Sequence, residues 1–328
     1  MTAYVVKRLI YLVLTLLATI VLIFTLMEFV PGDPAQAILG PTATEETIAQ
    51  VHEQLGLDDP YLVRLGDYLL GLLRGDLGES YKTAQPVFTE LMARFPVTLK
   101  ITVFAVIIGS IIGIIAGVIS AVKQYSIFDR VLTAISLFGA SAPSFWLAML
   151  LVLFFSLKLQ WLPATGSYGF EYWILPIGTL GLQCSASITR MTRSSMLEVI
   201  RQDYVRTARA KGQVEWKVII VHALRNALIP ILTIIGTQAC GYIGGTVLIE
   251  SVFGLPGIGN YILDSVNNLD YPVVTSGVIF ICFWCVLINF IVDLLYAFID
   301  PRIKITYGFK EKKKKAKKQV AAAQGGNA

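Results

Sequence analysis

The stretch LKITVFAVIIGSIIGIIAGVISAV, residues 99–122, is an almost unbroken apolar run with one charge, Lys100, beside its start. A membrane-spanning helix needs about 20 predominantly apolar residues and satisfies its own backbone hydrogen bonds. The run meets that length, and it lacks the alternation of a membrane β-strand, which is only about 10 residues long. It therefore predicts a transmembrane helix in an all-α protein.

The rest of the chain has the same character. Of its 328 residues, 55% are hydrophobic and only 15% are charged, and the mean hydropathy is +0.68. A soluble domain of this length would need more polar residues to cover its surface. We predict a polytopic membrane protein whose six apolar runs are spans, at 9–30, 99–122, 131–157, 174–189, 229–249 and 276–299.

The first run has a second interpretation as a cleaved signal peptide, because Lys7 and Arg8 precede it. A signal core has about 7–15 apolar residues and ends at a small-residue cleavage site. The run is longer than that and no such site follows it. We therefore predict a span.

The charges predict which way the bundle faces. Among the charged residues of 31–96, acidic ones predominate, whereas Lys and Arg predominate among those of 190–225. Residues 250–275 contain Glu250, Asp264 and Asp270 without any Lys or Arg. Cytoplasmic loops of membrane proteins are rich in Lys and Arg. Both termini and the loop at 190–228 are therefore predicted to be cytoplasmic.

Three regions follow from this arrangement. Residues 1–94 contain the first span and an outer helical region, and residues 95–304 form the core with its cytoplasmic loop at 190–228. Residues 305–328 are a run of lysines followed by small residues, predicted to be a disordered tail that helps fix the topology. Attraction to anionic lipid headgroups is a compatible second role for this tail.

The outer region is predicted to fold as a helical cap. Thr42 and Glu45 have the spacing of a capping box, and the helix that they start is expected to stop near Gly56. Asp59 and Pro60 are suited to start a second helix, which would end at Gly75. Its predicted apolar stripe consists of Tyr61, Leu65, Tyr68, Leu69, Leu72 and Leu73. A docking surface for an extracellular protein is an equal alternative.

The cytoplasmic loop is predicted to contain two amphipathic helices. Apolar residues recur at helical spacing from Met196 to Ala208, and Gly212 then interrupts as a helix C-terminal glycine would. A second helix is expected to begin near Val214 and to run toward Pro230. Two helices joined at a glycine make a rigid projection, whereas a plain connector needs only a few residues.

Sequence motifs for catalysis are missing. The chain has no G-x-x-x-x-G-K-[ST], H-E-x-x-H or G-x-S-x-G. His52 and His222 are predicted on opposite sides of the membrane, so they cannot share a metal. The cysteines, including the C-x-x-C pair, lie in or beside spans and are predicted to pack there: Cys184, Cys240, Cys282 and Cys285. We predict no catalytic, metal or cofactor site in this chain.

Several separated segments together resemble one family. They are RSSMLEVIRQDYVRTARAKG (193–212), HALRNALIP (222–230), VPGDPA (30–35), LGLDDP (55–60), LLRGDLGES (72–80), SAPSFWLAMLLVLFFS (141–156), WLPATG (161–166) and FGLPGIGNYILDSVNNLDYPVV (253–274). In their order along the chain, these segments resemble the permease subunits of binding-protein-dependent ABC importers, specifically the dipeptide, oligopeptide and nickel subclass. The resemblance implies the type I permease fold and extends from about residue 5 to about residue 305.

The resemblance also implies site residues. The cytoplasmic loop would dock in a cleft of the ATPase subunit through Tyr204, Arg206, Ala208, Arg209, Ala210, Lys211 and Gly212. The general importer motif has a Glu six residues before the glycine, where this chain has Arg206, and Thr207 replaces the first alanine. The segment facing the binding protein would contain Phe253, Gly254, Pro256, Gly257 and Gly259.

The implied partners are a second, related permease chain, two ABC ATPase subunits that bind ATP and Mg²⁺, and an extracytoplasmic solute-binding protein. ATP hydrolysis would thus lie outside this chain, which would work in the bacterial inner membrane by alternating access. The cargo would be a dipeptide or oligopeptide, with glutathione and chelated nickel as alternatives.

Two questions stay open at this point. Gly241, Gly244 and Gly245 in the fifth span are candidates for lining a translocation path, although close helix packing is the commoner use of such residues. The rival function is an ion-gradient-driven carrier or channel, which would place ionisable residues in its spans. Asp293 is the best candidate for such a residue, and its alternative role is a structural bond to a neighbouring helix.

Overall fold

The computed structural model describes residues 2–40 and 42–299, which excludes the predicted basic tail at 305–328. Within these residues no strand occurs, and fourteen α-helices follow one another. They are α1 (Thr2–Glu28), α2 (Pro34–Leu39), α3 (Glu45–Leu55), α4 (Tyr61–Leu73), α5 (Val87–Val122), α6 (Ile127–Ser141), α7 (Ser144–Leu151), α8 (Glu171–Ile200), α9 (Asp203–Ala210), α10 (Glu215–Lys217), α11 (Arg225–Gly245), α12 (Val247–Phe253), α13 (Ile258–Asn267) and α14 (Tyr271–Ile299). Two π-helical turns, Val152–Lys158 and Val218–Leu224, continue α7 and α10. The all-α prediction is confirmed.

The number of spans differs from the prediction. Four described helices are long and apolar enough to cross a membrane, at Val6–Glu28, Val87–Val122, Glu215–Gly245 and Tyr271–Leu295. A bent pair, α6 with α7 and its π-helical turn, makes a fifth. The predicted run at 174–189 lies in α8, which buries polar residues such as Thr179 and Ser185 against other helices and is correspondingly less apolar. The count of six is therefore not fully confirmed.

The third predicted span is not one helix. Its two halves, α6 and the segment from Ser144 to Lys158, meet at an angle of 107°. Pro143 lacks a backbone N–H and disfavours helical geometry at the residue before it, and Ala142 accordingly has an extended backbone. The Gln183 side-chain amide donates a 2.7 Å hydrogen bond to the Ala142 carbonyl, which satisfies an acceptor at the break.

The centre of the bundle is the contact between α5 and α8, the most extensive in the molecule. Gly109, Gly113 and Gly117 lie one turn apart on α5 and face Cys184, Ile188 and Thr192 of α8. A Cβ atom added at these glycines would lie 2.5, 2.7 and 2.5 Å from the facing Cβ atoms. Small residues at this spacing let two membrane helices approach closely. The missing side chains therefore define how near the helices lie.

The predicted outer cap consists of α2, α3 and α4. Thr44, not Thr42, is the N-cap of α3, since its hydroxyl accepts from the Thr47 N–H at 3.4 Å, so the predicted capping box is wrong. The helix stops at the left-handed Gly56, as predicted. The next helix, α4, begins directly after Pro60 without a side-chain cap and ends at Leu73, slightly before the predicted stop at Gly75.

The first and last helices are joined by an ion pair between Arg8 and Asp293, with an N–O distance of 2.8 Å. The Asp293 carboxylate thus bonds to a neighbouring helix, as its structural alternative proposed. In α14, Cys282 contacts the Thr19 hydroxyl and Cys285 contacts the Cys240 carbonyl. All four cysteines are free thiols.

Candidate coupling and gate sites

The projection that was predicted to be cytoplasmic is built on a break between α8 and α9. The sequence predicts continuous helical spacing from Met196 to Ala208, but α8 ends at Ile200 and α9 starts at Asp203, after Gln202 adopts an extended backbone. Val205 and Ala208 of α9 are buried and pack with Val218. The break therefore turns α9 back onto the helix that leads into α11, and the projection has its own small core.

The turn after α9 depends on Gly212. Its φ of +73° lies in the left-handed region, which residues with a Cβ adopt at a cost of about 1–2 kcal/mol. The Gly212 N–H donates to the Arg209 carbonyl at 2.9 Å, and the Gln213 N–H donates to the Ala208 carbonyl at 3.4 Å. This double closure is that of a helix C-terminal glycine motif, so the predicted role of Gly212 as a helix stop is confirmed.

An ion pair and a hydrogen bond brace this turn. Arg209 donates to Glu215 at 2.7 Å across it. His222 and Gln213 are joined by a hydrogen bond of 2.7 Å between Nε2 and Oε1. The projection is therefore bonded on both sides of the glycine.

The surface of the projection exposes apolar residues that the sequence did not identify as site residues. Val214 and Trp216 are 63% and 64% exposed, and Tyr204 of α9 is 44% exposed. Ala208, by contrast, faces the small core and presents no surface. We call the exposed set the coupling surface: Tyr204, Arg206, Ala210, Lys211, Val214 and Trp216. The available sequence signal was Trp216, four residues after Gly212, because a large aromatic residue on a loop that faces water is typical of a protein contact.

A second feature on the predicted cytoplasmic side, which we call the cytoplasmic clamp, joins α5, α6 and α8. Asp129 is almost fully buried, and Arg193 of α8 donates to its two carboxylate oxygens at 2.6 and 2.8 Å. Ser120 of α5 donates to the same carboxylate at 2.5 Å, and the Tyr125 N–H at 2.9 Å. Bidentate Arg–carboxylate pairs fix orientation as well as distance. The clamp therefore ties the turn between α5 and α6 to the helix that carries the projection.

On the predicted outer side, the gate segment expected from the sequence begins at the end of α12. Phe253 is buried in a core cluster with Ile101, Trp173 and Leu255. Gly254 caps α12, Gly257 precedes α13 and Gly259 lies in its first turn, where a Cβ would be 2.7 Å from Val247. The predicted gate residues thus form a compact segment held against α5 and α8.

The residue that holds this segment is Glu250, which sequence reasoning treated only as an outer charge. Its side chain is 0% exposed. One carboxylate oxygen accepts from Thr98 at 2.6 Å and from Thr246 at 2.9 Å, and the other accepts from the Asn260 N–H at 2.8 Å. The Thr98 hydroxyl also accepts from the Ile258 N–H at 3.0 Å. Glu250 and Thr98 together cap the N-terminus of α13, where negative charge is favourable.

The three candidate path glycines lie on an uncovered part of α11. A Cβ at Gly241 or Gly245 would meet no other atom within 4 Å, and one at Gly244 would lie 3.5 Å from Ile281. Thr233 and Thr237 continue the same exposed side toward the N-terminal end of α11, and their hydroxyls bond to carbonyls one turn earlier. Gly236 differs, because a Cβ there would clash with Val292 at 2.6 Å. Among these four glycines of α11, close packing within this chain explains only Gly236.

The chain matches models of one transport-protein family over most of its length. Residues 109–305 match the family described as binding-protein-dependent transport system inner membrane component, and residues 1–102 match its N-terminal membrane component. The chain is 44% identical to the dipeptide transport system permease protein DppB of Alkalihalophilus pseudofirmus, across 93% of this chain and 100% of the relative. It is 42% identical to the glutathione transport system permease protein GsiC of Salmonella choleraesuis, across 93% and 99%.

Among solved structures, the inward-facing MetNI methionine ABC transporter has a similar fold. The TM-score is 0.55 at 19% identity, over 66% of this chain and 100% of the other. At this identity the likeness concerns the fold alone.

Proposed function

Because this chain belongs to the family of binding-protein-dependent transport system inner membrane components, we infer that it is the permease through which an ATP-driven importer moves short peptides. Its similarity over nearly full length to permeases named for a dipeptide and for glutathione, which is itself a tripeptide, supports peptide cargo. The chain is a multi-pass inner-membrane subunit, and ATP hydrolysis belongs to partner subunits.

The coupling surface is the contact for the cytoplasmic ATPase. The observation that carries this assignment is an apolar, exposed face on a braced projection, centred on Val214 and Trp216. A partner can drive a membrane bundle only if it binds the states of that bundle differently. Movement of the projection reaches the spans through α8 and the cytoplasmic clamp, since Arg193 bonds to Asp129 of α6.

The complete importer contains a second permease chain, two ATPase subunits and an extracytoplasmic binding protein. The binding protein docks on the outer cap and the gate segment, and both termini of this chain face the cytoplasm. Closure of the ATPase dimer then opens the path outward. The uncovered side of α11, from Thr233 through Gly241 to Gly245, faces this path.

The ion-gradient carrier is not supported. Its best residue, Asp293, is paired with Arg8 at 2.8 Å.

The test of coupling uses Gly212. A Cβ at this position would meet no atom within 4 Å, so a larger side chain points into the space of the partner instead of into the fold. Gly212→Trp should reduce labelled-dipeptide uptake by about tenfold, equivalent to ~1.4 kcal/mol, while ATP hydrolysis continues. Asn tolerates left-handed geometry and is small, so Gly212→Asn is the matched control and should keep most of the uptake.

Both variants are compared in the assembled transporter, reconstituted in proteoliposomes with its binding protein. Normal uptake by a stably assembled Gly212→Trp transporter would contradict the assignment of this turn as the coupling element.

A further inference from the structure

The helix α4 exposes its apolar side. Leu62 and Leu73 are 77% and 85% exposed, and Val63 and Leu70 are about half exposed. At 100° per residue these four positions cover one arc of about 100°. We call this arc the leucine face of α4. Asp67 and Arg74 lie at its edge, and no charged residue lies within it.

The opposite sides of α4 are fixed to the protein. The rings of Tyr61 and Tyr68 lie 5.8 and 5.5 Å from the ring of Phe24. Arg64 donates to Glu28 at 3.0 Å, and the Tyr68 hydroxyl bonds to Ser276 at 3.0 Å. These contacts leave α4 little freedom to rotate about its axis, so the leucine face stays outward.

The contacts also give the height of α4 relative to the bilayer. All of its partners on α1 belong to the last turns of that helix, at Phe24, Thr25 and Glu28, where the first span leaves the membrane. Tyrosine and arginine are the residues that anchor proteins at the membrane–water boundary. At the same height, the other side of α1 is apolar and exposed, with Leu22 and Leu26 more than half exposed. The leucine face therefore lies at headgroup level beside a lipid-facing helix.

We propose that α4 is an interfacial helix whose leucine face inserts into the outer surface of the lipid bilayer, between headgroups and acyl chains. A helix with one apolar face and polar edges binds in the plane of a membrane in this way. Asp67 and Arg74 then lie at the rim toward water. The lipid surface holds the outer cap at a fixed height, and the proposal does not depend on which cargo the importer carries.

Spin-label accessibility tests this proposal in the assembled transporter in phospholipid bilayer discs. Labels at Leu62→Cys, Leu70→Cys and Leu73→Cys should collide with oxygen, which concentrates in lipid, several-fold more often than with a water-soluble nickel chelate. Gln50→Cys, on the exposed side of α3, is the matched control and should show the opposite ratio. The signal of the transporter without introduced cysteines is subtracted.

Two results would overturn the proposal. Chelate collisions at the leucine face equal to those at Gln50→Cys would mean that the face lies in water. Low collision rates with both reagents would mean that a protein subunit covers it.

Discussion

At the scale of single residues, Glu250 is a carboxylate that protein encloses on every side. Two hydroxyl groups and one backbone N–H replace its hydration. Its contact with Thr98 joins residues 152 positions apart, and sequence patterns carry no information at that range. The sequence therefore predicted the gate segment but not the residue that holds it.

Gly257 is the position at which an added methyl group tests the hydrogen bonds of Glu250. A Cβ at Gly257 would clash with the Glu250 carboxylate, whereas a Cβ at Gly245 would meet nothing within 4 Å. Gly257→Ala should displace the carboxylate and destabilise the protein by about 1–3 kcal/mol, the cost of unsatisfied buried polar groups. Thermal unfolding in detergent measures the change. Gly245→Ala is the control, and equal effects of the two substitutions would contradict the proposed role.

His52 in the outer cap predicts a pH dependence. Its Nε2 lies 2.9 Å from Asp33 and its Nδ1 lies 3.3 Å from Asp58. The hydrogen bond to Asp33 raises the pKa of His52 despite partial burial. Burial alone would raise the pKa of Asp33, but its hydrogen bonds with His52 and the Ala35 N–H outweigh burial and lower it.

The sign of each contribution follows from these directions. The His52 contribution is complete below its unfolded pKa of about 6.5 and is lost as pH rises through the raised folded pKa. The Asp33 contribution is present above about 3.9 and is lost as pH falls through the lowered folded pKa. Proteolysis within residues 33–58 should therefore quicken from about pH 6 to about pH 9 relative to a His52→Gln variant. A constant ratio of the two rates would contradict this.

At the scale of helices, α8 connects the sites. It packs on α5 along the three glycines, carries Arg193 of the cytoplasmic clamp and ends at the projection. The glycine spacing in residues 99–122 was visible in the sequence, but its partner helix was not. Pro143 was visible too, but the apolar run at 131–157 continues through it, and one uninterrupted span was predicted.

The cytoplasmic clamp gives a prediction for this helix. Arg193→Ala removes the partner of a nearly buried carboxylate and should lower the free energy of unfolding by about 3 kcal/mol, as breaking a buried ion pair does. Arg193→Lys should recover only part of it, because Lys cannot bond in a bidentate manner. Denaturant unfolding in detergent measures both. The exposed Arg190, on the same helix, is the control, and an equal loss in Arg190→Ala would refute the role of the clamp.

At the scale of the whole molecule, composition alone identified a membrane protein, since the charged fraction of 15% is too small for a soluble one. The number of spans was harder to predict. Hydropathy recognises helices that face lipid, whereas much of α8 packs against protein and buries polar residues such as Thr192 and Ser195. Helices enclosed in this way contain polar residues that weaken the apolar signal.

The orientation across the membrane can be tested with one cysteine on each side of α11. Gln202→Cys is exposed just before α9 and outside the coupling surface, and Asn267→Cys is exposed at the end of α13. A membrane-impermeant maleimide should label Asn267→Cys in intact cells and Gln202→Cys only after permeabilisation, because loops rich in Lys and Arg stay inside. Labelling of both in intact cells would contradict the predicted topology. The unsubstituted chain shows the background.

The close seam between α5 and α8 has a consequence for biosynthesis. About 80 residues separate the end of α5 from the end of α8. At about 5–20 residues per second, a ribosome takes ~4–16 s to add them. During that interval α5 is already synthesised, whereas the α8 residues that pack against Gly109, Gly113 and Gly117 are still being added. The order of synthesis thus makes the central helix pair of this protein wait for its second member.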